Sequence, residues 1–377
     1  MRFIFYSPIA FEKWNYDNSV KKGIGGSETS HVEMAWRLAQ RGHEVITYAP
    51  IPKGTKRDWR GTKWYSLKKA DFKQKGTWIL YRCPDVVDRF PPIKRRKDQQ
   101  LWLMMQDWDY PNWTDKRIRN TDRIITLCKS HGIDVLRGHS AIVQARNLWL
   151  SSNGVKIDLL EETEKKKIKR DPLKIIYTSS PDRALKNNLK VFKKAHELLP
   201  SLKMVAYYGF NNLNKLIKNN PNSHLNRNKQ EIMELMDTPG FTFGGRISQK
   251  KLYEEWFSSG IWLYCTNFNE TSCISCMEAQ AMGAIPVTNP VYALRENVKH
   301  GIVVEGDADN DELMQSRMAM EIVKLAMNPE LQDRIRAEMM PVARKRFDWE
   351  VFVTQWELEA QGKRKEFEKE YDFPRQL

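Results

Sequence analysis

Short apolar runs alternate with longer amphipathic stretches along almost the whole chain. Residues 2–7 are apolar and β-prone and stop at Pro8, which predicts a first strand. A polar loop then leads to Gly23, Gly25 and Gly26, with Ser27 as a favourable N-cap. From there to about Arg41, Val32, Ala35, Trp36 and Ala39 share one helical face, and Gly42 supplies the stop. Residues 44–49 are the next apolar run. Strand, glycine turn, helix and strand in this order predict a doubly wound α/β unit. Strands follow at 100–106 and 123–127, a helix at 129–136, and an irregular or extended piece at 143–150.

The pattern then restarts. IFYSP near the N-terminus and YTSSP at 177–181 read as the first strands of two similar domains. A helix through Leu199 buries Leu189, Phe192, Ala195 and Leu199, and a strand covers 202–208. The Asn-rich stretch to about Asn228 reads as a surface excursion. A strand at 241–246, an amphipathic helix at 249–258 and a fully apolar strand at 261–265 come next. After a strand at 285–288, helices are predicted over 311–327, 329–346 and 349–367.

The segment 269–283, NETSCISCMEAQAMG, organises the second half. It reads as a loop entering a helix in which Glu278 is the lone charged residue between Thr271 and Gly283. So little charge predicts a buried helix, and a buried carboxylate needs partners. Glu270 precedes the helix. The amides from Thr271 to Ser275 open its N-terminus and form an anion cradle. Phosphate donors beside two hydroxyl-accepting carboxylates point to a nucleotide-sugar. Arg183 and Lys186 sit where strand hands over to helix, and they suit a diphosphate.

Length and charge narrow the picture. A chain of 377 residues favours two domains, and the charge run EETEKKKIKR at 161–170 reads as an exposed linker or short exposed helix that marks the boundary. The net charge of +15 favours anionic partners. Residues 53–75, from Lys53 to Lys75, carry nine basic and two acidic residues among Trp59, Trp64, Tyr65 and Phe72. Such a mixture suits an anionic membrane or nucleic acid, or else a solvated loop. No apolar run approaches the roughly 18 residues of a membrane span, and the N-terminus is too weakly apolar for a signal peptide. The expectation is a cytoplasmic protein, with peripheral membrane contact left open. Five scattered cysteines agree with a reducing compartment. Cys273-x-x-Cys276 lacks a second pair, and a helix N-terminus there would favour a reactive Cys273. Gly23-x-Gly25 lacks the third glycine and the acidic residue of a dinucleotide fingerprint, which argues against NAD. Asp107-x-Asp109 reads as a turn before it reads as a metal site.

Together these residues resemble the retaining GT-B glycosyltransferases of glycosyltransferase family four. The likeness runs through Gly25-Gly26-Ser27-Glu28, Asn153-Gly154-Val155-x-x-Asp158, SSPDR at 179–183, GGRIS at 244–248, the Glu270…Glu278 pair with GAIPV behind it, and the closing FDWEVFVTQWE. The resemblance implies an α/β fold of two Rossmann-like domains with parallel sheets facing a cleft. An acceptor domain would span 1–165 and a nucleotide-sugar domain 166–348. A helix over 349–377 would cross back to the first domain.

It also implies roles. Glu270 would bind the donor sugar and Glu278 the ribose. Thr271, Ser272 and Arg183, with Lys186, would hold the diphosphate. Gly25, Gly26 and Arg246 would lie on the donor side. Gln106 and Asp107 stand where the family often has a histidine, which places them on the acceptor side. The implied reaction transfers a hexose-type sugar to a hydroxyl acceptor, with no metal or other cofactor. The alternatives are a non-catalytic binder of nucleic acid or anionic membrane on the same scaffold, or a glycosyltransferase acting on modified DNA. A periplasmic binding protein and a pyridoxal-dependent phosphorylase fit less well, for want of an export signal and of a cofactor lysine.

Overall fold

The computed structural model describes residues 1–107, 112–139 and 148–370. Two compact units are present: Met1–Val20 with Ile24–Gly154 and Asp348–Leu377, and Val155–Phe347 with Lys21–Gly23. The division falls at Gly154/Val155, ahead of the charge run. The reason is local: the Val155 amide donates to the Phe347 carbonyl at 2.6 Å. Part of the charge run is also helical, over Ile157–Glu164, and packs on the helix Gln249–Ser258 of the same unit.

The first unit holds an eight-stranded sheet: β1 (Arg2–Tyr6), β2 (Glu44–Ala49), β3 (Asp58–Trp59), β4 (Thr62–Ser66), β5 (Gly76–Tyr81), β6 (Gln99–Met104), β7 (Arg123–Thr126) and β8 (Leu148–Leu150). The order is β3-β4-β2-β1-β5-β6-β7-β8, parallel except for the β3/β4 pair. Phe3 and Phe5 pack with Met34, Ala35 and Leu38 of helix Gly26–Gln40, while Ile4 faces the opposite layer with Trp78 and Leu80. This is the alternation expected of a sheet covered on both faces. The closing helix Trp349–Ala360 completes the unit. It buries Trp349, Phe352 and Trp356 against the Phe3 and Phe5 face, and Arg37 and Arg41 reach Glu350 at 2.8 and 2.7 Å. It ends before Gly362, whose φ of 73° breaks the stretch expected as one helix; a second helix starts at Arg364.

The second unit holds six parallel strands: β9 (Asp171–Tyr177), β10 (Lys203–Tyr207), β11 (Phe241–Gly245), β12 (Ser259–Tyr264), β13 (Ile285–Thr288) and β14 (Ile302–Val303), in the order β11-β10-β9-β12-β13-β14. In each sheet the strand order reverses once, between β1 and β5 and between β9 and β12. Ligands of open α/β sheets bind outside the carboxyl ends of the strands at such a point.

Three local expectations are corrected. Gly25, not Ser27, is the N-cap of helix Gly26–Gln40, so Ser27 lies inside the first turn. The Asn-rich excursion contains two helices, Asn211–Asn219 and His224–Leu235, in which Leu213 and Ile232 are buried. Residues 53–75 are not an open loop. They include β3 and β4, with Trp64 buried, Trp59 stacked on Tyr16 at 4.6 Å, Tyr65 on Tyr48 at 5.7 Å, and Phe72 against Trp78 at 5.3 Å. The aromatic half of the basic-aromatic pattern is therefore core.

Candidate functional site

At the second unit's switch point, β9 runs through Thr178–Ser180 into helix Pro181–Leu198, and β12 runs through the loop 265–273 into helix Ile274–Met282. Pro181 suits a first helical position, where no amide hydrogen is needed. Asn188 ties the first helix to the end of β12. It donates to the Leu263 carbonyl and accepts from the Cys265 amide, both at 2.8 Å. Thr266 adds a bond to the Arg183 carbonyl at 2.7 Å.

The two helix N-termini meet here, with the Ser179 and Ser275 hydroxyls 3.0 Å apart. Neither N-cap residue, Ser180 or Cys273, spends its side chain on a cap. Two sets of first-turn amides and two positive dipole ends thus converge, the general recipe for an anion site. Cys273 turns the chain with a left-handed φ of 56°. Gly283 closes the second helix with φ 86°, and a side chain there would stand 2.9 Å from Met340 Sδ. The helix is buried from Ser275 to Met282, as its lack of charge predicts.

Arg183 leaves the first turn of its helix beside Glu270. Its Nη1 lies 3.7 Å from Glu270 Oε1 and its Nε 3.5 Å from Asp182 Oδ2, and the guanidinium carbon sits 3.5 Å from the Phe268 ring centroid. Burial pushes this guanidinium down, but Glu270 and Asp182 outweigh it and hold it above its ordinary range. Tyr264 donates its hydroxyl to Glu270 Oε1 at 2.5 Å. Burial keeps that phenol far above its usual range, so it remains a donor. The Ala293 amide holds the Glu270 carbonyl at 3.0 Å. Glu270 Oε1 is thereby engaged by Tyr264 and Arg183.

Glu278 lies one turn into the helix, 6% exposed. Burial pushes its carboxyl up to about 7, and the charge of Lys156 with the polar hydrogens of Tyr253 and Trp256 pulls it back. Thr271 and Ser272 are buried in the entering loop, where Asn297 donates to the Ser272 carbonyl at 2.5 Å. Arg246 follows β11, with its guanidinium carbon 5.7 Å from the Tyr208 ring centroid. Lys186 is not brought to Glu270. Its ammonium lies 3.3 Å from Asn228 Oδ1, 3.6 Å from Asp309 and 3.9 Å from Glu231. Cys273 and Cys276 are free and buried, and burial drives both thiols up. A reactive Cys273 is therefore not supported, because desolvation overrides the helix terminus.

The remaining site residues belong to the first unit. A side chain on Gly25 would stand 2.3 Å from Glu28 Oε2, so the Glu28 carboxylate folds back over the start of its own helix at Gly25 and Gly26. Asp107 Oδ2 accepts from Arg82 Nε at 2.6 Å, and Gln106 and Asn153 exchange amide hydrogen bonds at 3.3 Å. Asp109 lies outside the described residues. Among those that are described, no group of three or more His, Cys, Asp or Glu is arranged to hold a metal ion, and no helix is long and apolar enough to cross a membrane.

Sequence reasoning missed Phe268, Tyr264, Lys156 and Arg82. Phe268 was within reach of it, two residues before Glu270. Tyr264 was visible as the one hydroxyl at the end of the apolar β12 run. Lys156 and Arg82 acquire their meaning only from tertiary neighbours.

No family model matches the sequence, and no curated protein matches it. Solved structures do share the fold. HepE from Anabaena, solved with UDP and glucose, is 12% identical, with 96% of this chain and 100% of that one covered and a TM-score of 0.64. A glycosyltransferase from Rickettsia africae is 14% identical over 98% and 100% of the two chains, with a TM-score of 0.69. Sucrose-phosphate synthase from Thermosynechococcus elongatus is 12% identical over 96% and 99%, at 0.66. Two parallel-dominated Rossmann-like sheets, with the closing helix returned to the first, give this chain the GT-B fold of those glycosyltransferases.

Proposed function

We propose that the chain is a retaining, metal-independent glycosyltransferase that moves a hexose-type sugar from a nucleotide-diphosphate sugar to a hydroxyl acceptor. The observation that carries the reading is the pair of converging helix N-termini with Arg183 held against Glu270. The diphosphate lies on the first-turn amides and Arg183. Glu270, fixed through Oε1, offers Oε2 to the sugar hydroxyls. Glu278 takes the ribose hydroxyls, where its buried carboxylate gains donors. Lys186, already among an amide and two carboxylates, is left out of the diphosphate contacts.

In the reaction the bond from the anomeric carbon to the diphosphate oxygen breaks, and its electron pair stays on the diphosphate. Arg183 and the amides stabilise that growing charge, which is usually the largest catalytic term. The acceptor oxygen bonds to the same face of the sugar and gives its proton to the leaving phosphate. HepE has been solved with UDP-glucose, so a UDP-sugar is the first donor to try.

The test is a melting experiment on the intact chain with UDP-, GDP-, ADP- and TDP-sugars. A donor at about a hundred times its Kd stabilises by about 2.7 kcal/mol. One base class should raise the melting temperature, and Arg183→Ala should remove the effect. If no nucleotide-sugar at millimolar concentration raises it, the reading fails.

A further inference from the structure

Strands β5, β6 and β7 lie side by side and run parallel, so the chain enters all three at one edge of the sheet, the amino edge. Ligands of open α/β sheets bind at the opposite, carboxyl edge. We propose that this amino edge of the first unit docks on an anionic lipid surface. The proposal goes beyond the nucleotide-sugar reading and does not depend on it.

Residues 71–75, 91–98 and 115–122 lead into the three strands. They carry nine basic and four acidic side chains, a net +5 out of the chain's +15. Polar contacts join them into one surface. Lys75 Nζ lies 2.6 Å from Asp98 Oδ2, and Arg96 Nη1 lies 3.0 Å from Asp122 Oδ2. Arg96 Nη2 donates to the Asn120 carbonyl at 2.8 Å, and Asn120 Nδ2 to the Pro91 carbonyl at 3.3 Å. Arg117 pairs with Asp88 at 2.7 Å. These contacts occupy Lys75, Arg96 and Arg117. Lys73, Lys94, Arg95, Lys97, Lys116 and Arg119 are exposed and form no ion pair among the described residues. Six like charges held on one edge repel one another, and a surface of opposite charge relieves that repulsion.

The apolar content of the edge selects the partner. Ile93 opens the 3₁₀ turn Ile93–Arg95, and its side chain is 40% exposed between Pro92 and Lys94. It is the one exposed large apolar side chain of the three segments. An isoleucine ringed by basic residues suits a lipid interface, where the charges meet headgroups and the apolar group meets the acyl boundary. Single-stranded nucleic acid is held by stacking on rings. Here the ring of Phe72 is turned inward, 5.3 Å from Trp78 and 5.4 Å from Phe90. Duplex DNA is read by a helix or ribbon in its groove, and these segments offer one helix of five residues, Asp115–Arg119.

Flotation of the intact chain with vesicles tests this. Phosphatidylcholine vesicles holding about one-third phosphatidylglycerol should bind it about tenfold or more above phosphatidylcholine alone, and about 0.5 M salt should release it. Lys94→Glu/Arg95→Glu/Lys97→Glu should weaken binding by about tenfold or more. The same reversal in the charge run of the second unit, Lys165→Glu/Lys167→Glu/Lys169→Glu, also on exposed residues, should leave binding nearly unchanged. Ile93→Ser alters no charge and should weaken binding about three- to tenfold. An unchanged melting temperature in buffer checks that each variant is folded. Equal binding to both kinds of vesicle, or binding to neither, overturns the proposal. So does an equal loss from the two charge reversals, or an Ile93→Ser variant that binds undiminished. A duplex or single-stranded DNA oligonucleotide bound at least as tightly as the anionic vesicles at the same salt overturns it too. None of these readouts uses a nucleotide-sugar, so failure here leaves the donor assignment standing.

Discussion

Each unit of this chain sets one arginine between two carboxylates at the point where its strand order reverses. Arg183 has Glu270 and Asp182; Arg82 has Asp107 and Glu28. The difference lies in the helix starts beside them. In the second unit two N-termini converge without side-chain caps, so positive potential remains for a ligand. In the first, the Glu28 carboxylate lies across its own helix start. The two helix starts thus differ in what stands over them: in the second unit Arg183 with Asp182 and Glu270, in the first the Glu28 carboxylate. The buried ionisable groups diverge as well. The first unit holds His31 within an aromatic cage of Phe5, Trp14, Trp64 and Tyr81, and the second holds Glu278.

The largest expected effect breaks the comparison by acid. Burial pushes His31 down to about 3 from an ordinary value of 6.5. The unfolded chain then binds more protons below 6.5, so the stabilisation present above that value is lost as pH falls towards 3. That amounts to about 5 kcal/mol over the window. Denaturant midpoints followed by tryptophan fluorescence at pH 7, 5 and 4 should fall steeply, and His31→Leu should flatten the fall.

Next comes Arg183→Ala. It should lower turnover by about 10²–10³-fold while leaving the melting temperature of the free protein nearly unchanged, as read by nucleoside diphosphate release.

Glu278 sharpens the contrast because its sign is opposite. Its folded value of about 7 lies above its ordinary 4.5, so the native state holds the proton more tightly. That contribution is complete below 4.5 and is lost as pH rises through 7. Glu278→Gln should therefore stabilise the free protein at pH 8 by about 3 kcal/mol and have little effect near pH 4.5, while weakening nucleotide binding.

The smallest effect is expected of Tyr264→Phe, which removes the donor that fixes Glu270. A hydrogen bond to a charged group is worth about 1.5–3 kcal/mol, so kcat/KM should fall by about 10- to 150-fold. A Tyr264→Phe enzyme with unaltered kcat/KM would show that Glu270 is positioned by Arg183 alone.

Much of this was legible in the chain itself. The strands announced themselves because a parallel sheet covered on both faces needs short apolar runs, and helix Ile274–Met282 because it carries one charge. Glu270 and Arg183 could be singled out because each sits at a strand end or helix start, where sequence position fixes spatial position, and Glu278 because it is the lone charge of its helix. The Lys186 placement was not legible: its ammonium answers to Asn228, Glu231 and Asp309, residues 42, 45 and 123 positions away. The aromatics of 53–75 misled for a related reason. Interleaved basic and aromatic residues look alike whether the rings meet a ligand or, as with Trp64 and Phe72, the body of the same unit. Arg82 carries no local signal, since its partners Glu28 and Asp107 come from a helix start and a loop distant in sequence.

The most direct test of the central claim is product analysis by NMR, with the nucleotide-sugar that stabilises the chain, in the presence of excess chelator. The account predicts nucleoside diphosphate and a transferred or hydrolysed sugar whose first-formed anomer keeps the donor's configuration, with Arg183→Ala silent. An inverted first product, or turnover that the chelator abolishes, would contradict it.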